Sequence, residues 1–236
     1  MAELLNCARV DYKQIPTDIV FGRLRPNERL KLERMKGQYG TSVSTLREIL
    51  SRLASEGFVR AEGQRGFQVT PVSPEDLLEI ANLRSLLECY ALELSFSAGD
   101  VDWEGRVVAA HHKLHQMERK MPTGDHSVME TRKRYDREFH QSLIMACGSR
   151  TLFETHGSIF DKYLRYQMIT LTFRGDIAAR EHKELLEAAL SRDASRAQSV
   201  LRRHIEGGVA NSGAAETLSR LTESSEANIS RRRQPR

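Results

Sequence analysis

Gln38-Tyr39-Gly40-Thr41-Ser42-Val43-Ser44-Thr45-Leu46-Arg47-Glu48-Ile49-Leu50 is the stretch whose reading decides the N-terminal third of the chain. Upstream of the turn, Leu32, Met35 and Tyr39 recur at helical spacing, and Gly40 can take the positive φ that closes a helix. Downstream, Leu46, Ile49, Leu50 and Leu53 fall at i, i+3, i+4 and i+7, one face of a second helix. Ser42, Ser44 or Thr45 can cap that helix, and Thr45 with Glu48 has capping-box spacing. Two helices joined by so tight a turn predict a helix-turn-helix, which sets the start of its second helix in the major groove of DNA. Ser42, Val43, Ser44, Thr45 and Arg47 are then candidate DNA contacts, with Arg47 able to fork onto guanine or hold a phosphate.

On the upstream side, residues 15–21 are an apolar stretch stopped by Gly22, and Pro26-Asn27 marks a turn. On the downstream side, Gly57 ends the second helix, and residues 58–61 and 67–69 read as two short strands. The loop between them, 62–66, predicts a wing, with Gln64, Arg65 and Gly66 near the minor groove or the backbone of DNA. Lys31, Arg34 and Lys36 are candidate phosphate contacts, which orient a protein without reading sequence. Charge agrees: residues 1–72 carry 12 Lys and Arg against 8 Asp and Glu, whereas 73–222 carry 20 against 22. A basic head on a mildly acidic body fits a polyanion partner, the alternative being a solvated basic face.

Composition excludes several classes. With 236 residues, 39% apolar and 29% charged, the chain is long enough for two cores. Only 6 Pro and 15 Gly argue against a collagen-like or wholly disordered chain. No apolar run approaches the ~18 residues of a membrane span. Residues 1–10 lack the apolar core of an export signal, and the 3 Cys are too scattered for a disulfide frame or a thiolate metal knuckle. A reducing cytoplasm is the expected setting, with no membrane partner.

Beyond Pro71–Pro74 the strand signal disappears. Helices are expected over about 74–97, 102–120, 127–146, 150–171, 176–191 and 193–210, joined by short links, which predicts an antiparallel helical bundle. The expected fold is thus mainly α: a winged helix-turn-helix domain over 1–72, an all-α bundle over 73–211, and a basic disordered tail over 212–236.

Polar residues interrupt the apolar faces of that bundle. Asp136 and His140 lie on a face with Phe139, Leu143 and Cys147; His182 lies with Leu185, Leu186 and Ala189; His204 lies with Ala197, Val200, Leu201 and Gly208. A lone inward His is usually a hydrogen-bonded core residue, but four metal-capable groups on three helices are harder to explain that way. A divalent cation offsets the cost of burying a carboxylate and accepts neutral imidazoles. Asp136 and His140, at i and i+4, can present both groups to one ion. Arg84 and Glu88 interrupt the first body helix in the same way. They read either as a buried ion pair or as a fork for an effector carboxylate (Arg84) oriented by Glu88. Arg165, Tyr166 and Tyr163 are further pocket candidates, His156 reads as structural, His111 and His115 as a solvated face, and Cys147 as a small buried hydrophobe.

The words of the head resemble the GntR family. The run 19–30 is similar to its opening, and Thr41-Ser42 through Leu46-Arg47-Glu48-Ile49-Leu50-Ser51-Arg52-Leu53, then Glu56-Gly57-Phe58-Val59, is similar to its recognition helix and exit. Val43 stands where the family usually has Arg, and Asn27 where it usually has Gly. The body resembles the FCD ligand-binding domain of the FadR subfamily, in Asp136-Arg137-Glu138-Phe139-His140 and in single histidines, His182 and His204, on the last two helices. The resemblance implies that Asp136, His140, His182 and His204 hold a divalent metal, zinc first, with nickel, manganese or iron compatible with the donor set. It also implies a homodimer on palindromic operator DNA, acting as a repressor released by a small organic acid that fills open positions on the ion. Gly99-Asp100-Val101-Asp102-Trp103-Glu104 and Leu164-Arg165-Tyr166 look most like regulators of dicarboxylate use, the glutarate-responsive type among them. An enzyme is not expected: a metalloenzyme would need a placed base, for which only Glu88 or Glu181 could be offered, and would leave the head without a role. A sensor of the metal itself is the third reading.

Overall fold

The computed structural model describes residues 14–63, 66–119, 126–170 and 174–210, and it divides into two compact units, one reaching Ser73 and the other beginning at Pro74. In the first unit the elements run α1 (Gln14–Val20), β1 (Arg29–Leu30), α2 (Leu32–Tyr39), α3 (Val43–Ser55), β2 (Val59–Ala61) and β3 (Phe67–Val69). Leu46, Ile49, Leu50 and Leu53 of α3 are buried with Ile15, Ile19, Met35 and Val69, so the apolar spacing of α3 is its core face. Gly40 ends α2 at φ 61°. Ser42 is the N-cap of α3, its Oγ accepting from the Thr45 amide at 3.1 Å. The Thr45–Glu48 capping box does not form, because Thr45 already lies inside the helix.

The sheet order is β1-β3-β2, all antiparallel, with Leu30 opposite Phe67 and Val59 opposite Val69. The wing hairpin was expected; β1 was not. Asn27 precedes it at φ 64°, a left-handed conformation that Asn tolerates better than most residues, which accounts for Asn at a glycine position. Asp18, almost fully buried on α1, accepts from Arg23 (2.8 Å) and from the Tyr39 hydroxyl (2.7 Å), which ties α1 to the end of α2. Burial, and then this bond to Asp18, raise the Tyr39 pKa well above its ordinary value.

The second unit holds α4 (Pro74–Ala98), α5 (Val101–Arg119), α6 (His126–Ile144), α7 (Arg150–Thr170), α8 (Gly175–Leu190) and α9 (Ala194–Val209). α4 packs on α6, α7 and α9, while α5 packs on α6 and α8, and α8 on α9. The face of α4 that Arg84 and Glu88 interrupt is the buried one, with Leu77, Ala81, Ala91 and Leu92, whereas Leu83, Leu86 and Tyr90 on the other side are exposed. Asp100 caps α5 by accepting from the Trp103 amide at 2.7 Å. The Trp103 indole donates to Ser142 O at 2.9 Å and lies edge-on to Phe96, with Arg192 over its face. The 99–104 stretch thereby pins α5 to α6 and to the turn between α8 and α9. Among the described residues no helix is long and apolar enough to cross a membrane.

Candidate metal centre

α6 contributes Asp136 and His140, one turn apart; α8 contributes His182 and α9 His204. All four are buried, and one ligand-capable atom from each lies within 4.8 Å of the others. Asp136 Oδ1 is 3.2 Å from His182 Nε2 and 3.6 Å from His140 Nε2. The ring centroids of His182 and His204 are 4.8 Å apart. Asp136 Oδ1, His140 Nε2 and His182 Nε2 are buried and make no hydrogen bond, an arrangement that ordinarily costs a fold several kcal/mol (about 1–3 for each group).

The opposite edge of each imidazole is fully engaged. His140 Nδ1 pairs with Glu88 Oε1 (2.5 Å), His182 Nδ1 with Glu118 Oε1 (2.7 Å), and His204 Nδ1 with Glu181 Oε2 (2.8 Å). A carboxylate on Nδ1 fixes the tautomer that leaves Nε2 as a lone-pair donor, the outer arrangement that accompanies metal-bound histidine. The residues therefore fit a divalent cation: three convergent imidazole nitrogens, one carboxylate oxygen and a second layer already in place. Burial holds the His140 pKa below its ordinary value and pushes His204 down to about 3, the direction that favours the neutral imidazole a metal takes. At His182 burial is outweighed by Asp136 and Glu118, and its pKa is raised. At Asp136 burial is outweighed by Lys133 and then His182, which hold the carboxyl well below its usual range.

Sequence reasoning missed Glu118 and did not give Glu181 its partner. The spacing that buries Trp103, Val107, Ala110 and Leu114 on α5 leads on to Glu118, which would have marked it as inward. His111, expected on a solvated face, is instead half-buried and edge-on to Phe139 at 5.3 Å, because α5 lies along α6. Of the two readings of Arg84 and Glu88, the buried ion pair is present: Arg84 Nε donates to Glu88 at 3.0 Å. Its guanidinium lies over Phe160 (4.1 Å) and Tyr163 (4.7 Å), and Nη2 is 3.3 Å from His140 Nδ1. His156 Nε2 adds to Glu88 at 3.0 Å. Burial alone would raise the Glu88 pKa; Arg84, then His140 and His156, outweigh it and hold it well below the usual range. Tyr166 donates a short hydrogen bond to Asp76 near the start of α4, and the charge of Asp76 also acts on Arg165. Cys147 is buried, with Sγ near Ser149 O. A narrow cavity of about 20 Å³ adjoins the ligand atoms, lined by Asp136, His182 and His204 together with Arg132, Lys133, Gln167 and Arg174.

In the first unit, Ser42, Ser44 and Arg47 are exposed at the start of α3, while Val43 and Thr45 are half-buried. Gly66 closes the wing loop, its carbonyl accepting from the Glu62 amide at 2.8 Å; Gln64 and Arg65 lie outside the described residues, as does the tail from 211 onward.

A winged helix-turn-helix joined in one chain to an all-helical unit with a buried histidine–carboxylate cluster is the architecture of a DNA-binding transcriptional regulator. Comparison with known proteins agrees. The gntR family of bacterial regulatory proteins matches residues 10–69, and the FCD domain matches residues 79–207. The HTH-type transcriptional regulator BphR of Paraburkholderia xenovorans is 34% identical over 211 residues, covering 89% of this chain and 86% of that one. The HTH-type transcriptional repressor GlaR of Escherichia coli is 30% identical over 202 residues, covering 82% and 90%. The solved structure of E. coli McbR/YncC superposes with a TM-score of 0.72 at 20% identity, covering 84% and 93%, a likeness of fold. The chain belongs to the GntR family, in the FCD-bearing FadR-like subfamily, and is a DNA-binding transcriptional regulator rather than an enzyme.

Proposed function

We propose that this regulator is a repressor whose operator affinity is lowered by a small organic acid bound beside a divalent cation. Asp136, His140, His182 and His204 hold the cation, zinc first by donor set, with nickel, manganese or iron also compatible. The observation that carries this reading is the matched layering: three imidazoles and one carboxylate converge while Glu88, Glu118 and Glu181 occupy the three Nδ1 atoms. A cation held there supplies the positive charge and open coordination positions that attract a carboxylate. Arg84 and Glu88 serve the effector by holding His140, and Arg165 and Tyr166 by fixing the wall formed by α7 against α4.

The domain scheme is a head over 1–72 and a sensor over 73–211. Ser42, Val43, Ser44, Thr45 and Arg47 approach base edges and phosphates, with Gln64, Arg65 and Gly66 at the wing. The protein acts in the cytoplasm as a homodimer on a two-fold operator. The exposed apolar stripe Leu83, Leu86 and Tyr90 on α4 supports a second copy as its cover. Bound acid shifts the population away from the operator-competent arrangement, and by linkage operator DNA lowers the affinity for acid by the same factor. The test is a gel-shift titration on operator DNA with acids added to metal-loaded and to chelated protein. Release by acid from the loaded protein alone is expected; release that survives chelation would overturn the metal's part.

A further inference from the structure

The small cavity beside the ligand atoms, about 20 Å³, has room for little more than a water molecule, whereas pockets for organic ligands run to several hundred Å³. An open groove of about 560 Å³ lies along α8 and α9, lined by Ile177, Arg180, Glu181, Glu184 and Arg203. One residue, Arg174, lines both spaces. Its guanidinium donates twice to Glu181, at 2.9 and 3.1 Å, and once to His204 O at 2.9 Å. Glu181 is the carboxylate that holds His204, so Arg174 shares its partner with a candidate metal ligand. The guanidinium lies close against Gly207, where an added Cβ would come within 2.3 Å of it.

Two other nearby cations are committed elsewhere. Arg84 is sandwiched between Phe160 and Tyr163 and bonded to Glu88. Lys133 donates to Asp136 and to Gln167. Arg174 is partly exposed, and Glu181 has a second cation at hand when Arg174 leaves, since Arg203 Nε already stands 3.6 Å from it. Resting on the reading above, we propose that Arg174 is the residue that recognises the effector's carboxylate: the acid enters from the α8–α9 groove, takes Arg174 from Glu181, and joins the groove to the inner cavity. An arginine fork prefers a bidentate carboxylate. Exchange at Glu181 leaves its bond to His204 in place but removes the cation that shares that carboxylate, which couples the acid to the sensor's interior.

The test is calorimetric titration of the metal-loaded full chain with straight-chain dicarboxylic acids of three to six carbons, acetate and benzoate. Metal content and association rates are measured on the same samples. Arg174→Gln is expected to keep the wild-type metal content and to bind the best acid about 10- to 100-fold more weakly, with Arg174→Lys in between. Gly207→Ala, which displaces the guanidinium from its resting place, is expected to leave affinity undiminished and to speed association. Wild-type affinity in Arg174→Gln would overturn the proposal, as would loss of metal from that variant. A wild-type chain that holds no metal, or binds none of these acids, would instead overturn the function on which the proposal rests.

Discussion

Glu118→Gln isolates the second layer of the centre without touching a ligand. Glu118 is buried at the end of α5, and its Oε1 is 2.7 Å from His182 Nδ1. The amide is nearly isosteric and can still accept that hydrogen bond, so packing is retained while the charge is lost. The charge matters because burial alone would lower the His182 pKa, and Glu118 with Asp136 reverses the sign. A less polarised imidazole is a weaker donor from Nε2. Loss of such a partner typically lowers metal affinity about 10- to 100-fold, or about 1.4–2.7 kcal/mol. Competition against a chromophoric chelator at neutral pH reads this directly, with circular dichroism as the check on fold and His182→Ala as the ligand-loss reference. An affinity within about twofold of wild type, in a folded variant, would refute the assignment of Glu118 as the carboxylate behind a metal-bound histidine.

Other perturbations follow from single contacts. Arg47→Ala removes an exposed side chain from the leading turn of α3 and is expected to weaken operator binding by about 1–3 kcal/mol with the fold unchanged; undiminished affinity in a binding titration would count against the recognition-helix assignment. Gly208→Ala places a Cβ 2.1 Å from the Tyr163 hydroxyl and should cost about 1–3 kcal/mol in urea denaturation, whereas Gly105→Ala, with open space around it, should gain about 0.5–1. Equal effects at the two sites would contradict the packing described. Asn27→Val forces a β-branched residue to φ 64° and should destabilise the head by about 1–2 kcal/mol, while Asn27→Gly stays near neutral; a thermal melt of both variants separates strain from side-chain loss.

What was legible in the sequence was whatever a local period could carry. The α3 face, the wing strands and the break before Pro74 all rest on spacing or punctuation within a few residues. β1 is two residues long and has no period; the turn at Asn27 and its pairing to Phe67 and Gln68 create it. α4 is apolar on most of its circumference, yet the spacing around Arg84 and Glu88 already marked the side its three neighbours cover; that Leu83, Leu86 and Tyr90 form an apolar stripe left exposed needed the packing to show. The metal-capable set was visible because Asp136 and His140 are one turn apart and His182 and His204 interrupt apolar faces. Its outer carboxylates were not, since Glu118 meets His182 only through the packing of α5 on α8. The part of Arg174 was invisible for the same reason: in sequence it is one of many arginines, and only the fold lays it across Gly207 between two spaces.

X-ray absorption at the metal edge of the loaded protein tests the shared centre most directly. The account predicts nitrogen and oxygen neighbours at about 2.0–2.2 Å, with the outer-ring scattering of three imidazoles, falling to two in His204→Ala. Sulfur scattering at about 2.3 Å, or a spectrum of hydrated ion unchanged by that substitution, would contradict it.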